Sequence, residues 1–126
     1  MENSTMQKGP EQWFLDAHPE WGSVRVQVST GRGLFPVEGA RVEIYRRLGP
    51  EPTVFYEGVT DASGIAEDIR LPALPAGWSQ SAETAGISGT VYQVSVRHPQ
   101  HGTVEGRPVT VFPRIETVLA VSLGAA

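Results

Sequence analysis

The sequence predicts an all-β chain folded as a seven-stranded antiparallel Greek-key β-sandwich. Three observations carry that prediction. Short runs alternate apolar and polar residues with period two, as half-buried strands require. The 14 glycines and 10 prolines fall between those runs instead of gathering in one linker, a spacing that punctuates strands and leaves no room for long helices. At 126 residues the chain has enough length for one sandwich of about 100 residues, a tail and one long loop.

Residues 1–22 read as an N-terminal tail, polar but for the patch Trp13-Phe14-Leu15 and for Trp21. Two readings stay open: a loose tail whose aromatics dock on the sandwich, or a short helix from Pro10 to Ala17 that presents Trp13 and Phe14 to a partner. Residues 23–124 are expected to form a single sandwich domain.

Strict alternation begins at Ser23, with Val24, Val26 and Val28 on one face and Arg25, Gln27 and Ser29 on the other. Thr30 to Gly33 ends this strand, and Pro36-Val37-Glu38-Gly39 makes a turn in which Gly39 takes the positive φ that other residues avoid. Ala40, Val42 and Ile44 define a second strand to about Arg47. The prolines at 50 and 52 mark a loop, since neither can donate to a ladder. A third strand spans Thr53 to Val59, with Val54, Tyr56 and Gly58 on one face. In the next turn, Asp61 can bond its own downstream amides and Gly64 closes a hairpin to a fourth strand, Ile65 to Leu71. Pro72 to Thr90 is a long irregular loop whose only large side chain is Trp78. Val91 to Arg97, Thr103 to Phe112 and Ile115 to Leu123 complete the seven strands.

The formal net charge is −4 and the sequence pI about 5.3, with basic residues scattered singly except at Arg46-Arg47. No clustered positive footprint for nucleic acid follows from that distribution. Without cysteine there is no disulfide, thiolate nucleophile or cysteine-held zinc. Lys8 is the only lysine, so Schiff-base chemistry has a single candidate in the tail. Met1 to Gly9 lacks an apolar signal core, and no run approaches the roughly 20 apolar residues of a membrane-spanning helix. The expected location is cytoplasmic by default, with spore association as a variant.

His98 and His101 stand three apart in a turn, far from His18, and read as solvated turn residues more readily than as a metal pair. Asp61, Glu67 and Asp68 lack the spacing of a calcium loop. No G-x-S-x-G elbow is present. The residues therefore imply no catalytic set, no metal and no cofactor. Trp78, Tyr45, Tyr56 and Tyr92 could stack on sugar faces, against the plainer reading that these rings cover the ends of the sandwich.

The run Val37-Glu38-Gly39-Ala40-Arg41-Val42-Glu43-Ile44, with Thr60-Asp61-Ala62-Ser63-Gly64-Ile65-Ala66, resembles the carboxypeptidase regulatory-like, transthyretin-like (prealbumin-like) domains. The segments Tyr92 to Pro99 and Val109 to Thr117, with Val111-Phe112-Pro113, are similar to the non-catalytic N-terminal domains of clostridial spore-cortex-lytic enzymes. The resemblance implies a seven-stranded accessory module that works beside a catalytic or envelope partner. Hydroxyisourate hydrolases of related fold would bring catalytic histidines, an arginine and a C-terminal Tyr-Arg-Gly-Ser, whereas this chain closes Val121-Ser122-Leu123-Gly124-Ala125-Ala126. The lysine–asparagine cross-link of collagen-adhesin domains has no strand lysine to draw on.

The expectation is thus a non-catalytic interaction module, not an enzyme, with a protein partner or envelope component. Trp13, Phe14, Trp21, Tyr45 and Trp78 are its candidate interaction surface. Two alternatives accompany it: a self-associating structural subunit forming a homo-oligomer, and a carbohydrate-binding module using exposed aromatics.

Overall fold

Eight strands and one short helix carry the described residues, 9–74 and 89–124 of a computed structural model. They are α1 (Pro10–Ala17), β1 (Glu20–Thr30), β2 (Phe35–Pro36), β3 (Arg41–Arg47), β4 (Pro52–Val59), β5 (Ile65–Ala73), β6 (Thr90–His98), β7 (Gly102–Val111) and β8 (Glu116–Ser122). The strand beyond the expected seven is β2. It forms because Gly31, Arg32 and Gly33 take φ of 62°, 60° and 92°, folding the chain back so that Ser29 pairs with Pro36 and Thr30 with Phe35.

Two sheets face each other. In the first, β1 is central, with β5 and β2 antiparallel to it and β8 beside it; the second runs β4-β3-β6-β7, antiparallel throughout. The β1–β8 pair departs from the all-antiparallel expectation. After β7 the chain crosses between sheets at Phe112–Ile115 and enters the first sheet in the direction of β1, so Val26 lies opposite Leu119 in a parallel register. Ridges of Val24, Val26 and Val28 meet Val42, Ile44, Val94 and Val96 in the core, with Leu119, Val121 and Leu123 completing one side. Each such side chain stabilises the fold by about 1.5–3 kcal/mol.

Three bulges interrupt the ladders, at Phe55 in β4, Glu67-Asp68 in β5 and Glu105-Gly106 in β7. The first corrects the alternation read in β4. One extra residue there brings both Phe55 and Tyr56 against the core and leaves Val54 47% exposed.

Local side chains hold the turns. The Thr60 hydroxyl donates to the Val37 carbonyl (2.6 Å) and accepts from the Ala40 amide (2.9 Å), fixing the entry to β3. The Asp61 carboxylate accepts from the Ser63 and Ile65 amides at 2.9 and 3.0 Å. Asp61→Ala should therefore lower stability by about 1 kcal/mol, read from urea midpoints, because both amides are exposed and water can replace the carboxylate.

Candidate functional site

Helix α1 sits at the end of the sandwich where β3 finishes and β4 and β6 begin. Eight residues are too few to hold a helix in isolation, and Gly9 at its N-cap supplies no side-chain cap. Docking through Phe14, its only buried residue, supplies the missing stability. The Phe14 ring stacks on His18 (3.9 Å between centroids) and meets Phe55 and Tyr92 edge-on at 5.7 and 6.2 Å. The Arg46 guanidinium lies 5.2 Å from the same ring and donates to the Val91 carbonyl. The Tyr92 hydroxyl donates to the Pro72 carbonyl at 2.6 Å, tying β6 to β5 beneath the helix. Burial pushes the Tyr92 phenol far above the ordinary tyrosine range, so it remains a neutral donor.

His18 caps the C-terminus of α1, its Nδ1 lying 2.7 Å from the Phe14 carbonyl. Burial lowers its pKa from 6.5, and the Arg46 charge lowers it further, against the opposing effect of the Phe14 carbonyl. The undocked chain therefore takes up a proton more readily than the folded one. The stabilisation is complete above pH 6.5 and is lost as the pH falls from there toward the lowered folded value. Melting temperatures measured from about pH 8 to pH 5 should fall across that window, and His18→Gln, which does not titrate, should remove this part of the decline.

Beside α1 runs an open groove of about 440 Å³. Leu15 of the helix, Val54 and Phe55 of β4 and Trp21 of β1 line it, with Glu11 and Arg70 at its rim. Trp21 faces outward because Gly22 and Val24 turn inward, and the Arg70 guanidinium lies 5.8 Å from its ring. A second groove of about 470 Å³ follows the other flank of the helix, against the Gly49–Thr53 segment, and shares Glu11, Leu15 and Thr53 with the first. The volumes are those of small-ligand or peptide sites.

The expected surface residues separate. Trp13 is 66% exposed and Trp21 47%, whereas Phe14 is 8% exposed and belongs to the core, which corrects its assignment to the interaction surface. Tyr45 is half-buried on the opposite face of β3 from Val42 and Ile44, its hydroxyl accepting from Ser95 at 3.4 Å. Tyr92 is fully buried, so it cannot belong to a sugar platform. Trp78 lies outside the described residues. Leu15, Val54, Phe55, Arg46 and Arg70 were not among the interaction residues expected from the sequence. Leu15 adjoins the aromatic patch and was legible there; Val54 was hidden by the bulge.

The His98 and His101 rings are 4.8 Å apart, and His98 Nδ1 accepts from the Gln100 amide. Among the described residues, no three of His, Cys, Asp and Glu gather as a metal site, and no helix is long and apolar enough to cross a membrane.

No protein-family model and no curated protein sequence matches the chain. Solved structures do. A 5-hydroxyisourate hydrolase from Klebsiella pneumoniae aligns over 82% of this chain and 92% of its own, at 12% identity and a TM-score of 0.51. Transthyretin from Sparus aurata aligns over 79% and 89% at 15% identity (TM-score 0.46), and an (S)-allantoin synthase over 82% and 41% at 16% (TM-score 0.49). The expectation that the chain is not an enzyme is overturned by the first of these, because the scaffold it shares houses a hydrolase. A missing terminal motif removes one catalytic apparatus, not the capacity of a fold to carry another. In its architecture the chain is similar to the transthyretin-like sandwich of that hydrolase.

Proposed function

We propose that the chain is an interaction module that takes a short apolar segment of a partner protein into the groove between α1 and β4. The carrying observation is the convergence there of exposed Leu15, Trp21 and Val54 over Phe55, with a carboxylate and a guanidinium at the rim. Apolar and aromatic side chains inside a polar rim form the composition of a binding hot spot. The short resemblances at Tyr92 to Pro99 and Val109 to Thr117 support a spore or cell-envelope hydrolase as the partner class. The carbohydrate reading has less support, since Tyr45 and Trp21 lie on different sheets and Tyr92 is buried.

Site-specific photocrosslinking in the source cells tests this reading. A benzophenone side chain at Leu15 should capture one discrete protein, and the same group at Thr103 in β7 should not. With that protein purified, Trp21→Ala should weaken binding by about 30-fold or more, the loss of one hot-spot side chain. Capture from Thr103 alone, or an affinity indifferent to Trp21, would reject the groove as the binding surface.

A further inference from the structure

Two large apolar side chains stand out of the sandwich at the end away from α1, on the loop between β1 and β2. Leu34 is 74% and Phe35 62% exposed, and among the described residues no large apolar side chain is more exposed than Leu34. The backbone holds them there. Gly31, Arg32 and Gly33 all take a positive φ, the Gly33 amide donates to the Thr30 carbonyl at 3.2 Å, and the Leu34 amide donates to the Gly31 carbonyl at 3.3 Å. Arg32 accepts that conformation without a glycine's freedom, a local strain kept by the loop around it. The Phe35 ring rests against Gly31, where an added Cβ would come within 2.9 Å of it.

Two other turns share this end with the loop. A Cβ on Gly64 would lie 3.2 Å from Pro36, and one on Gly124 would lie 3.6 Å from the His101 carbonyl and 3.9 Å from Thr30. The charge at this end is left positive. Arg32 is exposed, and among the described residues no carboxylate pairs with it. Arg97, at the last turn of β6, has none either, because the Glu57 carboxylate is taken by its cross-strand neighbour Arg41 at 3.3 Å. The Asp61 carboxylate is turned onto the Ser63 and Ile65 amides, and Glu38 is exposed in the turn before β3. At the base of the loop opens a polar groove of about 390 Å³, lined by Gly33, Gln27, Ser29 and Ser63 with Pro36 and Ile65.

We propose that this end docks on an anionic lipid bilayer, with Leu34 and Phe35 entering the boundary between headgroups and acyl chains. The shape of the feature selects a bilayer over a protein. A stable protein interface covers about 800 Å² on each partner, which a four-residue tip does not supply, whereas a bilayer accepts a convex apolar tip without a matching surface. The charges select its sign: the Arg32 guanidinium can bind a lipid phosphate through paired N–H donors, and Arg97 adds to the attraction. The hydroxyls of Ser29 and Ser63 and the Gln27 amide lie at the depth of the headgroups and suit their oxygens. Docked this way, the chain turns α1 and its grooves away from the lipid. The proposal stands independently of the partner proposed for those grooves.

The full chain should sediment with sucrose-loaded vesicles of phosphatidylcholine containing one third phosphatidylglycerol. The double variant Leu34→Ser, Phe35→Ser should lower the partition coefficient at least ~10-fold, with a melting temperature within about 2 °C of wild type because both side chains are exposed. Arg32→Glu should lower it at least ~5-fold on these vesicles and far less on phosphatidylcholine alone. The absence of native cysteine lets the inserted end be identified directly. An environment-sensitive dye on Leu34→Cys should shift to the blue when vesicles are added, and the same dye on Glu51→Cys, at the α1 end, should not. No sedimentation with the anionic vesicles, binding indifferent to the double variant, or equal dye shifts at both positions would each overturn the proposal. Leu15→Ser should leave vesicle binding unchanged, so failure at this end and failure at the groove are separable.

Discussion

Replacing Phe14 with alanine should lower stability by about 3–5 kcal/mol, the usual cost of emptying a buried aromatic site. The loss is concentrated at α1. Phe14 is the helix's only buried side chain, and the rings of Phe55, Tyr92 and His18 and the Arg46 guanidinium all meet it. Once it is removed, nothing else on an eight-residue helix offsets the entropy of ordering it. Urea denaturation should show the lowered midpoint, and limited proteolysis should cut near residues 10–17 well before the strands. A variant that keeps the wild-type midpoint and protease resistance would show that α1 is held by other contacts. Since Leu15 and Glu11 reach the groove only when α1 is docked, the same variant should lose the crosslink captured from the groove.

Gly64→Ala is the second large effect, expected at about 2–5 kcal/mol. Gly64 has a φ of +77°, where an L-residue costs about 1–2 kcal/mol. An added Cβ would also lie 2.4 Å from the Val28 carbonyl oxygen and 3.0 Å from the Val37 nitrogen, both backbone atoms of packed segments. Relieving that overlap costs a further ~1–3 kcal/mol. The Gly64 carbonyl accepts from the Val28 amide at 2.7 Å, so a displaced turn also loosens β1 at the centre of its sheet. Thermal unfolding monitored by circular dichroism measures the outcome; a melting temperature within about 2 °C of wild type would mean that the turn shifts without cost.

The Asp61–Gly64 turn was legible in the sequence because its chemistry is local: one carboxylate, two amides and a glycine, all within five residues. The alternation at Val24 to Val28 was legible for the same reason. Gly22 was not. Its missing side chain makes room for the Phe112 carbonyl, which would lie 2.2 Å from a Cβ there, and the crossing of those segments is set by the tertiary fold. Neither the bulge at Phe55 nor the direction of β8 follows from its own strand's composition, since each depends on a neighbour distant in sequence. At the candidate site, the aromatic patch at Trp13 and Phe14 stood out in the sequence, but not which ring turns inward. Adjacent helical residues point about 100° apart, so burying Phe14 leaves Trp13 outside, and only the position of β4 and β6 decides between them.

The parallel pairing of β1 with β8 has a consequence in time. Among the described strands, β1 is synthesised first and β8 last, yet they lie side by side in one sheet. Until Glu116 to Ser122 leaves the ribosome, one side of β1 is bare, with the amides of Ser23, Arg25 and Gln27 lacking their acceptors in Ile115, Thr117 and Leu119. The emerging chain can form β3, β4 and β6 as neighbours, but its first sheet closes only when the final strand arrives. Through the synthesis of this sandwich, the strand most in need of protection is the earliest of those described.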